Sequence, residues 1–141
     1  MKHRLNTFRK SEKGDALIGV FFFLMITLIV ALLAVTIVQY VMIRSNLHTA
    51  SNEVLQVMKV ENGADAITRQ RFDGLLRSME MDPGKVSFTA TPKPVQRGDV
   101  LEVTAVREYE VFALKAVGVY YTVPIKVHVS GLAHKFYRTG D

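Results

Sequence analysis

From Ala16 to Ile43 the chain runs for 28 residues without one Asp, Glu, Lys or Arg. A helix needs only about 20 apolar residues to cross the hydrocarbon of a bilayer, so this stretch is long enough to span one. It bounds the rest of the molecule as well. The 98 residues that follow, 44–141, leave room for one small domain and none for a multidomain enzyme. An ordinary cytosolic globule is excluded by the same run. The chain has no cysteine, which removes a disulfide framework, a thiolate metal site and a thiol nucleophile.

The net charge of +5 is unevenly placed. Lys2, Arg4, Arg9, Lys10 and Lys13 precede the apolar run against only Glu12 and Asp15. A short basic leader before an apolar span predicts a cytoplasmic N-terminus and a C-terminal domain on the other side of the membrane, at the cell exterior. Downstream of Ile43 the charges alternate in sign and form no basic stripe, so no nucleic-acid partner is expected. The run is too long for a secretory signal core of about 7–15 residues. It is followed by Gln39-Tyr40-Val41-Met42-Ile43-Arg44 with no small-residue cleavage site, so the span is expected to be retained. Tyr40 and Arg44 read as interfacial anchors at its outer end.

No Gly or Pro occurs between Val20 and Asn62. Leu47, Ala50, Val54 and Val57 recur at helical spacing, with Asn46, Ser51, Asn52, Glu53 and Gln56 on the other faces. Asn62-Gly63 supplies a stop. The pattern predicts one helix from about Ala16 to Glu61, half in the membrane and half an amphipathic stalk. Phe72, Leu75, Leu76 and Met79 predict a short second helix that begins near Asp65 or Thr68 and ends before Asp82-Pro83-Gly84. The period then changes to two. Val86, Phe88 and Ala90 mark a first strand. Leu101, Val103, Ala105, Tyr109 and Val111 mark a second, with Arg107 interrupting its apolar face at an expected bulge or edge. Tyr121, Val123, Ile125, Val127 and Val129 mark a third, in which Pro124 must point its nitrogen away from a neighbour. The fold class is α+β: a long N-terminal transmembrane-plus-stalk helix, a short second helix and a small antiparallel β-sheet. The expected units are a basic leader at 1–14, a transmembrane helix at 15–43, stalk and second helix at 44–82, and a sheet ectodomain at 83–141.

Residues able to carry chemistry are few. His3, His48, His128 and His134 form no ligand-spaced set, so no metal is expected. Glu108 and Glu110 share a strand face with Glu102 and read as the solvated side of a sheet. The serines at 11, 45, 51, 78, 87 and 130 lack a nucleophile elbow, and there is no phosphate-binding glycine loop. No enzyme activity, catalytic residue or cofactor is expected. Two apolar features remain. Phe112 to Tyr121, joining the second and third strands, is unusually apolar for an exposed connection. It reads either as strand extensions turning near Gly118 or as a contact with a partner subunit or the membrane surface. Phe21-Phe22-Phe23 suits lipid and a helix-packing surface equally.

Lys13-Gly14 stands directly before Asp15-Ala16-Leu17-Ile18-Gly19-Val20-Phe21. This junction resembles the class III leader of type IV pilins and TadE-like pseudopilins, in which a prepilin peptidase cuts after the glycine. The resemblance implies processing between Gly14 and Asp15. Pilins usually carry Glu at the fifth position after the cut, where this chain has Gly19; in pilins that Glu helps to register an incoming subunit. Leu47-His48-Thr49-Ala50-Ser51-Asn52-Glu53, Glu61-Asn62-Gly63, Met81-Asp82-Pro83 and Gln96-Arg97-Gly98-Asp99 look like the TadE-like membrane proteins of Gram-positive bacteria, often encoded beside Tad-type secretion or conjugation genes.

The resemblance, which covers about 14–137, implies a minor pilin or pseudopilin of a Tad-like type IV filament or secretion/conjugation system. Its partners would be the membrane, a prepilin peptidase and other pilin-like subunits in a homo- or hetero-oligomer, and its place the cell membrane or an extracellular filament. The competing expectation is a single-pass accessory scaffold that never enters a filament.

Overall fold

A computed structural model describes the backbone of residues 3–135 and the side chains of residues 14–135. The basic side chains of the leader and the imidazole of His3 lie outside the described residues, as does the end of the 83–141 unit beyond Lys135. The architecture is α+β. One helix, α1 (His3–Glu61), is followed by α2 (Ala66–Ser78), a 3-10 turn (Pro83–Lys85), β1 (Val86–Ala90), β2 (Val100–Glu110), α3 (Phe112–Ala116) and β3 (Thr122–Leu132). The strands form one antiparallel sheet in the order β1-β2-β3, so β2 is central.

At about 1.5 Å per residue, α1 is roughly 90 Å long. It begins within the leader, upstream of the expected Ala16, and runs through Gly14, which weakens a helix without stopping it as a proline would. It ends where Asn62 enters the left-handed region at φ 57°. The Gly63 amide then bonds back to the Met58 carbonyl at 3.1 Å, a Schellman closure. Gly63 itself has φ +123°, and a Cβ there would lie 2.8 Å from the Lys93 nitrogen. Glycine is required here because segment 62–64 runs against the backbone of 91–95. Ala64 donates to Thr91, Lys93 to Ala64 and Val95 to Asn62, at 2.8, 3.1 and 3.1 Å. These bonds stitch the end of the long helix to the sheet side of the molecule.

The core lies between the helices and one face of the sheet. Leu47, Ala50, Val54, Leu55 and Met58 from α1 meet Phe72 and Leu76 from α2. Beneath them lie Leu101, Val103, Ala105 and Tyr109 of β2 and Ile125, Val127 and Val129 of β3. The α1 stripe therefore follows 47, 50, 51, 54, 55 and 58, which corrects two assignments. Ser51, placed on a polar face, is fully buried, and Val57 is only half-buried. The buried i+4 and i+8 positions complete a 3.6-residue stripe, and the small Ser51 fits the close approach.

Helix α2 starts at Asp65, whose carboxylate accepts from the Thr68 amide at 3.0 Å while the Thr68 hydroxyl accepts from the Asp65 amide at 3.0 Å. This reciprocal cap selects Asp65 over Thr68 as the start. Phe72 packs on Phe88 of β1 with ring centroids 4.5 Å apart, which sets α2 over the β1 side of the sheet.

Arg107 sits in unbroken pairing, with Val86 on one side and Ile125 on the other, rather than at a bulge or an edge. The apolar face tolerates it because Arg107 lines a cleft between α1 and the 79–87 segment instead of packing in the core. Pro124 lies on the edge strand opposite Glu108. The Val111 amide bonds to Tyr121 at 3.0 Å, and alternation along the ladder puts the Glu108–Pro124 pair at a position that requires no donor.

Candidate functional site: the uncovered helix and its junction with the sheet

Every residue from Gly14 to Ala31 is exposed, Leu17, Phe21 and Phe23 by about two-thirds or more. A soluble environment offers no cover for an apolar surface this large. Its one hydroxyl is satisfied within the helix, as is the next hydroxyl along α1. The Thr27 hydroxyl donates to the Phe23 carbonyl and the Thr36 hydroxyl to the Leu32 carbonyl, both at 2.9 Å. That arrangement meets the requirement of a hydrocarbon solvent, which hydrogen-bonds nothing. Among the described residues, this is the one helix long and apolar enough to cross a membrane.

Intramolecular contact begins at Leu32 and Thr36, inside the expected 15–43 span, and continues through Gln39, Tyr40 and Ile43 to the core stripe. Tyr109 of β2 reaches up to this part of α1, its hydroxyl donating to Gln39 Oε1 at 2.9 Å. Tyr40, expected as an interfacial anchor, stacks edge-on against the Tyr109 ring at 6.3 Å; Arg44 is exposed. The Thr36 hydroxyl accepts from the Ala113 amide at 3.0 Å. The sheet domain therefore climbs α1 well past Arg44, and the stretch of α1 without intramolecular cover ends near Thr36.

The apolar connection does not extend the strands. Phe112–Ala116 is the short helix α3, and Gly118, with φ +82°, completes the turn toward β3. Ala and Leu favour the helix, but five residues cannot hold one alone; contact with α1 and the bond to Thr36 settle it. After α3 the chain leaves Val117, Val119, Tyr120 and Tyr121 exposed. Lys115 pairs with Glu110 at 2.7 Å. The shared hydrogen bond lowers the carboxyl pKa and raises that of the ammonium.

Below the junction, a cleft of about 880 Å³ opens between α1, the 79–87 segment and the end of β2. Gln39, Asn46, Glu80, Lys85, Arg107 and Glu108 contribute to its wall. Arg107 Nε is buried there without a hydrogen-bond partner. Acid and base alternate around the cleft, so it has no net preference for one charge.

The remaining candidates are dispersed. Glu102, Glu108, Glu110 and Lys126 are exposed on the outer face of the sheet. His48 Nδ1 lies 3.1 Å from Asn52, and His128 Nδ1 lies 3.0 Å from the Thr104 hydroxyl. His128 Nε2 is also 3.9 Å from Glu102, a cross-strand proximity that needs the register to be seen. His134 donates its amide to the Lys59 carbonyl. Among the described residues no group of three His, Asp or Glu could hold a metal ion. Gly14 and Asp15 lie on α1, both exposed, and apart from α1's own neighbouring backbone nothing described lies within 4 Å of where a Gly14 side chain would begin.

These features define an α+β domain assembled on the C-terminal half of a helix whose other half is apolar and uncovered. The chain belongs to the family described as Domain of unknown function (DUF4320), whose model matches residues 23–138. That match takes in most of the apolar stretch together with the sheet domain. No curated protein and no solved structure matches the chain.

Proposed function

We propose that the chain is a membrane-anchored, pilin-like subunit of the TadE-like kind: a minor pilin or pseudopilin of a Tad-like type IV filament or secretion/conjugation system. The observation that carries this reading is the division of α1. From Gly14 to Ala31 the helix is exposed, while from Leu47 to Met58 it is the spine of a folded domain. A subunit built this way stores its apolar half in lipid. On extrusion it exchanges lipid contacts for packing against equivalent helices of neighbouring subunits. The role is structural rather than catalytic. The outer sheet face, with Glu102, Glu108, Glu110 and Lys126, would then be the polar surface of the assembly. Processing by a prepilin peptidase would fall between Gly14 and Asp15, both exposed on α1.

Intact mass with N-terminal sequencing, on protein from its native membrane, tests this. A mature chain beginning at Asp15 supports a processed subunit. A chain beginning at Met1, with the peptidase present and active, overturns processing. One observation favours a second reading: Gly19 stands where pilins carry the subunit-registering Glu. In that reading the protein is a single-pass scaffold of a conjugation or envelope machine and never enters a filament. Disulfide trapping between copies that carry both Val20→Cys and Phe22→Cys, on opposite faces of α1 in the otherwise cysteine-free chain, separates the two. Ladders of crosslinked multimers favour the filament, and monomers the scaffold.

A further inference from the structure

The junction fixes the sheet domain at a definite height on α1, and that height coincides with a membrane boundary. Counting about 20 residues of hydrocarbon from Ala16 places the end of the span at Val35. The next residue, Thr36, accepts the amide of Ala113 at 3.0 Å, so α3 is pinned to the helix where α1 leaves the lipid. The residues that follow are the wrong ones for water. Val117, Val119, Tyr120 and Tyr121 are 68, 51, 80 and 59% exposed, and Phe112 and Leu114 are exposed beside them. Tyrosine with aliphatic neighbours is the composition of the headgroup–acyl boundary, where one end of the ring is wet and the other is not. The charges adjoining this patch suit that depth: Lys115, its one charged residue, is neutralised by Glu110 at 2.7 Å. The outward faces of β2 and β3 carry Glu102, Thr104, Glu108, Lys126, His128 and Ser130 instead.

We propose that α3 and the Val117–Tyr121 segment form an interfacial collar that inserts into the headgroup–acyl boundary of the bilayer around the point where α1 emerges. The occupant of this apolar surface is lipid. The collar holds the sheet domain against the membrane and limits the tilt of α1 before assembly. The inference rests on the reading of α1 as a membrane anchor.

The chain contains no tryptophan, so single substitutions act as clean depth probes. The full chain is made as Tyr120→Trp, as Phe22→Trp within the span, and as Leu132→Trp at the far end of β3, roughly 33 Å along the strand from Thr122. Each is reconstituted in phosphatidylcholine–phosphatidylglycerol vesicles containing lipids brominated near the carbonyl or deep in the chain. Phe22→Trp should be quenched best by deep bromines. Tyr120→Trp should be blue-shifted relative to Leu132→Trp and quenched several-fold more strongly, best by the shallow bromines. Quenching at position 120 no greater than at 132, with position 22 quenched, overturns the collar and leaves the anchor standing. A blue shift at 120 without lipid quenching means a protein cover and also overturns it. Loss of quenching at position 22 overturns the anchor itself, and the collar with it.

Discussion

Asp65 joins three parts of the molecule through one carboxylate. It caps α2 through the Thr68 amide and accepts from Lys93 at 2.7 Å, while Lys93 also reaches Glu61 at the end of α1, 3.2 Å away. The Lys93 hydrogen bond, followed by the Thr68 amide, holds the Asp65 pKa well below the usual carboxylate range, and the same contact raises the Lys93 pKa. A lowered carboxyl pKa contributes stability that is present above about pH 3.9 and lost as pH falls through the folded value. A raised lysine pKa contributes stability that is present below about pH 10.4 and lost as pH rises through its folded value. Unfolding of the full chain in detergent should therefore show a plateau between these limits. Asp65→Asn keeps the cap acceptor but loses the charge, so its acid-side decline should be shallower than that of the parent. Asp65→Ala loses cap and charge together and should have the lower denaturation midpoint of the two at neutral pH. Both the cap and the salt bridge involve residues visible in the sequence, but only the cap is local. Lys93 is 28 residues from Asp65, and no periodicity links them.

At the scale of elements, the decisive contact is between α1 and the end of β2. Tyr109 is almost fully buried, and its hydroxyl is held by Gln39. Tyr109→Phe should cost about 1 kcal/mol, through the lost bond and the amide left without it. The sharper readout is local. Amide exchange at Ala113 and in α3 should rise more than exchange in β3, because Tyr109 and Thr36 together hold that corner. The strands and α2 were legible because alternation and 3.6-residue spacing are properties of short segments. Helix α3 was not. Phe112 to Tyr121 carries the β-branched and aromatic residues of a strand, and its helical turn exists only because α1 passes alongside. Arg107 was misread for a related reason. An ion on an apolar strand face signals a defect only if that face is packed along its whole length, and here a cleft beside Arg107 interrupts the packing before Tyr109 meets α1.

The whole molecule is one core spread over elements far apart in sequence. Phe72 sits at its centre with no exposed surface, in contact with Phe88. Phe72→Ala should destabilise the chain by about 3–5 kcal/mol, from lost burial and the cavity left behind. A guanidinium unfolding curve measured on the full chain in detergent checks this. Because α1 supplies one wall of that core, the loss should also expose Leu47, Val54 and Met58, and protease sites in the outer half of α1 should open in the same transition. The sequence by itself determined where the apolar span lies, that the C-terminal half of α1 is amphipathic, and which residues within each strand face inward, each from composition or period within one segment; Val111 and Tyr121, expected on those inward faces, fall outside the strands, and Tyr121 is exposed. The tertiary structure decided how high on α1 the sheet sits, that Ser51 is buried, that α3 is a helix, and that Thr36, Gln39 and Tyr40 belong to the folded domain. Periodicity specifies which face of an element is covered; what covers it, and at what height, is set by long-range packing.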